Sequence, residues 1–204
     1  ILLPLLVCLL TSCNASSAKL LKEPEIKYNR ISSYDKNEYD KFVDTLNTFS
    51  SRITEDSIIE FNEENKNFSV SPLSLYMALS LVVECSNGDT RQEILDEMGL
   101  TYEQVSTFTK TLFELSTKQA TMENYEDGTI EVLSEELVTN SIWIDDEIAL
   151  FEKCLDKLAL DYYCYSHEVD FNNNNKDANK RISKFVKEQT KGLIDSDFAI
   201  DKDA

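Results

Sequence analysis

Apolar side chains recur along much of this chain at intervals of three and four residues. Tyr39, Phe42, Val43, Leu46, Phe49 and Ile53 form one such series, which predicts an amphipathic helix with its stripe toward a core. Ser71-Pro72 opens a second helix. The serine can cap an orphan amide of the first turn, where proline's missing N–H costs nothing. From Leu73 through Val83 this helix is apolar nearly all round, with Leu75, Tyr76, Met77, Ala78, Leu79, Leu81 and Val82. It is therefore expected to be central rather than superficial. Asn87-Gly88-Asp89 turns the chain, and Thr90-Arg91-Gln92-Glu93 has the capping-box pattern that opens a short helix carrying Ile94, Leu95 and Met98. Gly99 is placed to stop it in a left-handed cap. A second box, Thr101-Tyr102-Glu103-Gln104, starts a helix with Val105, Phe108, Leu112 and Leu115 on one stripe.

The pattern then changes. Asp127-Gly128 closes a loop, and Leu137 to Ile144, rich in Val, Ile, Thr and Trp143, predicts a long strand with both faces partly apolar. Phe151, Cys154, Leu155, Leu158 and Tyr162 return to helical spacing, and a strand is expected near Tyr165 to Phe171. After a loop at Asn172 to Asn175, a last helix carries Ala178, Ile182, Phe185, Val186 and Gln189, with Gly192 suited to its end. The order is several helices, strand, helix, strand, helix, so the two strands are joined by a helical crossover. From Asn14 to about Lys36 the chain is polar, contains Pro24 and shows no sustained period, which reads as a flexible leash.

The 204 residues carry 38 acidic against 20 basic side chains, a net charge of −18. That much negative charge repels a phosphate backbone, so nucleic acid is excluded as a partner. The four glycines are too scattered for a phosphate-binding loop. Glu55 to Glu64, Glu123 to Asp127 and Asp145 to Glu147 read as solvated acidic faces, and the closing aspartates lack the glycine and final glutamate of a calcium loop. No cofactor or metal is expected. His167 is the only histidine, which rules out a two-histidine mechanism. On an extended strand its neighbours Ser166 and Glu168 face the other side, so the three do not form a triad. His167 is expected to be solvent-facing or hydrogen-bonded, and the protein is not expected to be an enzyme.

Ile1 to Leu10 is too short for a membrane span and reads as the apolar core of a signal peptide entered part-way. It runs into Leu10-Thr11-Ser12-Cys13, which resembles the bacterial lipobox. Cys13 is thus the candidate lipid anchor, with ordinary secretory cleavage and a bystander Cys13 as the alternative. The expected organisation is signal peptide at 1–12, lipid-anchored tether at 13–36 and a folded domain at 37–204. The expected location is outside the cell or anchored at a bacterial surface. Of the five cysteines, Cys85, Cys154 and Cys164 then remain. An odd number argues against a full disulfide framework, and their pairing stays open.

Four segments together resemble the serpin family. Asn67-Phe68-Ser69-Val70-Ser71-Pro72-Leu73-Ser74 is similar to its N-x-x-x-S-P-x-S signature, and Ala78-Leu79 and Gly88-Asp89-Thr90 keep the family spacing. Cys85-Ser86 stands where most members have Gly-Ala. Thr139-Asn140-Ser141-Ile142-Trp143 looks like the A-N-x-(L/I)-(W/F) strand, and Tyr162-Tyr163 with Val169-Asp170-Phe171 resembles Y-Y…V-D-F, one residue short. Ile182-Ser183-Lys184-Phe185-Val186 with Thr190-Lys191-Gly192-Leu193-Ile194 resembles I-N-x-W-V-x-x-x-T-x-G-x-I.

The resemblance implies an α+β multi-domain serpin fold, of which this chain is the helix-rich N-terminal half with the first strands of the large central sheet. It implies a monomeric suicide-substrate inhibitor of serine proteases, with cysteine proteases as a second class, and a reactive loop that this chain lacks. Ser71 and Ser74 match the family's shutter, where short hydroxyl side chains lie under the sheet that must open. Ser71 also reads directly as an N-cap, and Ser74 as a first-turn residue satisfying its own backbone. The helix from Thr101 carries Glu103, Lys110, Glu114 and Lys118 rather than a basic stripe, so no heparin-like activator is expected there. The alternatives are a non-inhibitory serpin and a surface-tethered binding or scaffold domain.

Overall fold

A computed structural model describes residues 18–30, 33–61 and 67–201. It has a larger unit, Leu20–Glu168, and a smaller one built on residues from Val169 onward. The larger unit contains α1 (Lys36–Phe61), α2 (Pro72–Cys85), α3 (Gly88–Met98), α4 (Tyr102–Ser116) and α5 (Glu152–Asp161). It also holds a hairpin of β2 (Lys118–Glu123) and β3 (Ile130–Glu136). A three-stranded sheet has the order β1 (Lys19–Lys22), β5 (Cys164–Val169), β4 (Asn140–Asp145). The smaller unit is α6 (Phe171–Gln189) with the segment that follows it. Among the described residues no helix is long and apolar enough to cross a membrane.

The core of the larger unit joins all five helices. Phe42 and Phe49 of α1 meet Tyr76, Met77, Leu81 and Val83 of α2, and Leu95, Met98, Leu100, Val105, Phe108, Leu158, Tyr162 and Cys164 complete the cluster. Phe42 stacks on Phe108 at 4.5 Å and tilts against Tyr76 at 5.6 Å. Such ring pairs add to the burial of their surfaces. The expected stripe of α1 is the one that packs here, since Tyr39, Val43, Leu46 and Ile53 lie against the same cluster.

The helix ends follow local chemistry. Thr101 and Gln104 form the full reciprocal capping box at the start of α4. Gly99 adopts φ 69° after α3, and Leu100 N–H returns to Leu95 O at 3.1 Å, the hydrogen bond of a left-handed helix stop. The first box is a correction: α3 begins at Gly88, capped by Asn87, and Thr90 lies inside its first turn. The asparagine reaches an amide earlier than the threonine does, so the helix starts there.

Several other expectations are corrected. Lys19–Lys22, inside the stretch read as a leash, forms β1 against β5, and Lys22 pairs with Asp156 at 2.5 Å and Glu152 at 3.3 Å. Asn29 exchanges two hydrogen bonds with the backbone of Gln119, at 2.8 and 3.1 Å. The polar composition of this stretch hides backbone pairing, which needs no apolar period. The stretch between α4 and Asp127 holds β2, which pairs antiparallel with β3 through a bulge at Ala120/Thr121. Both strands are exposed on both faces, with Ile130, Val132 and Leu133 in solvent, so no alternation marked them. The predicted strand at Leu137 begins three residues later, at Asn140. The Asn172–Asn175 loop is instead the first turn of α6, capped by Asp170 and kinked at Asn174.

The smaller unit closes on itself by side-chain mimicry of a strand. Asn179 donates to Ile200 O at 3.0 Å and accepts from Ile200 N–H at 2.9 Å. Ser183 Oγ accepts from Phe198 N–H at 2.9 Å. Gly192 serves as expected, with φ 84° and its N–H on Lys187 O.

Candidate functional site

The candidate residues Ser71 and Ser74 meet at the foot of α2. Ser71 is the N-cap, with extended backbone, and its Oγ accepts from Ser74 N–H at 3.3 Å. The two hydroxyls are 2.8 Å apart, and both residues are exposed. Pro72 fills the first helical position, so the local sequence alone fixes this start. The pair is a small, solvated, hydroxyl-lined end of a helix whose body is buried.

Around it lies apolar surface. Leu73, Leu75 and Val82 of α2 are 39%, 37% and 44% exposed. The helix is central, as expected, but within the larger unit one flank of α2 is packed and the other faces out. The buried flank rests on α1, α3, α4, α5 and β4. Among the described residues β4 is the last strand of its sheet, so one of its edges has no strand beside it.

Two turns further along α2, hydroxyls become fully buried. Thr109 Oγ1 donates to Ser80 Oγ at 3.2 Å and lies 3.2 Å from Tyr76 Oη, while Ser80 Oγ donates to Tyr76 O at 2.8 Å. Burial pushes the Tyr76 phenol up to about 12, so it stays a neutral donor. Spacing could have marked Tyr76 and Ser80 as one face, but nothing in the sequence pairs them with Thr109.

Glu84, near the end of α2, is a buried carboxylate with a complete set of partners. Its side chain is 7% exposed and lies 3.0 Å from Lys157 Nζ. Tyr102 Oη donates to it at 2.9 and 3.1 Å, and Tyr162 Oη at 3.1 Å. Arg91 and Lys157 also lie over the Tyr102 ring, at 4.6 and 4.2 Å from its centroid. A buried charge is tolerated only when paired and hydrogen-bonded in this way. The desolvated carboxylate beside Tyr162 helps keep that phenol protonated, burial being the larger cause. Glu114 is likewise buried, with Tyr163 Oη donating to it at 2.8 Å and the Arg30 guanidinium 3.7 Å away as an ion pair. An acid inside an otherwise apolar helix was the available signal for Glu84.

His167 is half-buried and stacks flat on Trp143, with centroids 4.1 Å apart and an interplanar angle of 8°. Ser166, beside it, is fully buried, so the strand does send the two to opposite faces. The lipid-anchor candidate Cys13 lies outside the described residues.

A family model described as "Serpin (serine protease inhibitor)" matches residues 44–202. A protein of rice, Oryza sativa subsp. japonica, that bears the name serpin-Z12 is 29% identical over 131 residues, 64% of this chain and 28% of the relative. Among solved structures, Serpin48 of the insect Tenebrio molitor superposes with a TM-score of 0.59 at 24% identity, over 80% of this chain and 40% of that one. Arabidopsis AtSerpin1 in its native stressed conformation superposes with a TM-score of 0.62 at 18% identity, over 84% of this chain and 42% of that one. The chain thus spans 28% of the curated relative's length. The two solved structures share its fold.

Proposed function

Because this chain belongs to the serpin family, we propose that its protein is a suicide-substrate inhibitor of serine proteases, held outside a bacterial cell by lipid on Cys13. The single observation that carries the inhibitory reading is the family match across residues 44–202. In this mechanism a protease cleaves an exposed loop, stays joined to it as an acyl-enzyme, and is distorted as the loop adds to the sheet as a new strand. Strand addition satisfies a full row of backbone hydrogen bonds, and release of stored strain makes it one-way. The bait loop belongs to the remainder of a protein of the relatives' length.

The geometry around α2 is compatible with that task. A larger sheet growing past β4 would cover the outward side chains Leu73, Leu75 and Val82. The Ser71–Ser74 pair would then lie under it as two short polar side chains that hold the helix end without filling the space a moving strand needs. Cysteine proteases form the second target class, since a thiol also forms an acyl-enzyme with a cleaved loop. The monomer is the expected functional state.

The experiment is to express the full-length protein and incubate it with trypsin-, chymotrypsin- and elastase-like enzymes. A covalent complex that survives detergent and heat is expected with at least one of them. Simple cleavage of the loop with every enzyme would support a non-inhibitory serpin instead. For the anchor, Cys13→Ala is expected to move the protein from the membrane fraction to the soluble fraction. Unchanged partitioning would refute lipid attachment at that residue.

A further inference from the structure

Residues 20–30 lie across the surface of the larger unit as one strip. β1 forms the outer strand beside β5. Beyond it Pro24 is buried and Ile26 and Tyr28 are half-buried, while Glu25, Lys27 and Asn29 are exposed. An extended chain shows that alternation when one of its sides is laid on a surface. Among the described residues none of this strip belongs to the core cluster, which is built from α1 onward. The strip is therefore held as a bound peptide is held, by a sheet edge and a track of polar partners that the rest of the unit supplies.

The track is acidic where the strip is basic. Lys22 reaches Asp156 and Glu152 of α5 at 2.5 and 3.3 Å. Tyr28 Oη donates to Glu135 of β3 at 2.5 Å, and the Arg30 guanidinium lies 3.7 Å from the buried carboxylate of Glu114. Asn29, between them, takes a left-handed φ of 56°, which asparagine tolerates better than most residues. Its backbone N–H donates to Thr117 O at 3.1 Å while its side chain brackets the backbone of Gln119. Residues 19–30 carry four basic and two acidic side chains in a chain of net charge −18, so the strip and the acids under it are complementary.

We propose that the outer edge of β5, with the acidic track from α5 to the β2–β3 hairpin, is a docking site for one extended basic peptide, and that residues 19–30 occupy it in cis. The site lies at the opposite edge of the sheet from β4, so it is separate from any strand that joins there. A strand laid against β5 gains affinity from main-chain hydrogen bonds, and selectivity comes from Lys22, Tyr28 and Arg30 meeting their acids. Because the occupant is covalently attached, its effective concentration is roughly millimolar. A free peptide of the same chemistry therefore binds only once the cis strip is weakened.

The probe is a dye-labelled synthetic peptide with the sequence of residues 18–30. The receptor is the full chain carrying Lys22→Glu and Asn29→Ala, which weaken the cis strip and leave the residues of the site intact. Fluorescence anisotropy should show the peptide binding this variant at least ~tenfold more tightly than the unmutated chain, and hydrogen exchange should show it protecting β5. Adding Asp156→Lys to the site should lower that affinity at least ~tenfold. In the unmutated chain, which needs no variant to fold, the amides of residues 19–30 should exchange together and about tenfold faster than those of α4. Strip amides as protected as those of α4 would overturn the proposal. So would no binding to a variant whose circular dichroism matches the unmutated chain, equal binding to both chains, binding unchanged by Asp156→Lys, or binding that leaves β5 unprotected.

Discussion

Ser71 serves the helix start whatever else it does. Its Oγ takes the Ser74 amide and meets the Ser74 hydroxyl, so Ser71→Ala should lower stability by about 1 kcal/mol, the usual cost of a lost N-cap. Urea unfolding monitored by circular dichroism checks this. Glu84 should matter more. Glu84→Ala strands Lys157 in a partly buried site and leaves two tyrosine hydroxyls without their acceptor, an expected loss of about 3 kcal/mol in the same measurement. His167 gives a pH test. Burial holds its folded pKa below 6.5, so as pH falls below 6.5 the unfolded chain takes up the proton first and stability drops. Between about pH 7.5 and about pH 5.5 the unmutated chain should lose more stability than His167→Gln. Equal losses would mean that the ring is no less basic folded than unfolded. At this scale the caps were legible because they are local: Ser71 and Thr101 lie within three residues of the amides they bond. The Glu84 partners are 18, 73 and 78 residues away along the chain, and no spacing rule joins them.

Among the elements, the helices stand where apolar periodicity put them, because each buries one face and exposes another. The β2–β3 hairpin shows the opposite case. Its side chains Ile130 and Leu133 are 71% and 57% exposed, and its turn relies on Gly128 at φ 71° and on Asp127, whose carboxylate takes the Thr129 amide and hydroxyl. With little apolar burial to hold it, its amides should exchange with deuterium well before those of α2 and α4. Hydrogen exchange with fragment mass spectrometry measures the difference, and equal protection would show that the hairpin is stabilised by packing it does not display here. β1 escaped the sequence for a related reason. A four-residue strand is defined by the strand it pairs with, and Lys-Leu-Leu-Lys is too short and does not alternate, so it shows no strand period of its own.

For the whole molecule, motif order carried the family and periodicity carried the core, and the two agree because the signature at Asn67–Ser74 leads into the helix with the most apolar sequence. The sequence did not reveal that α2 leaves Leu73, Leu75 and Val82 outward, since composition records how apolar a helix is and not what covers it. The central claim is that the full-length protein stores strain which loop insertion releases. The most direct measurement is its Tm before and after a protease nicks the exposed loop without unfolding the rest. The account predicts that the nicked protein melts well above the intact one, because the freed loop has become a strand of the sheet. A nicked protein that melts at or below the intact temperature would contradict it.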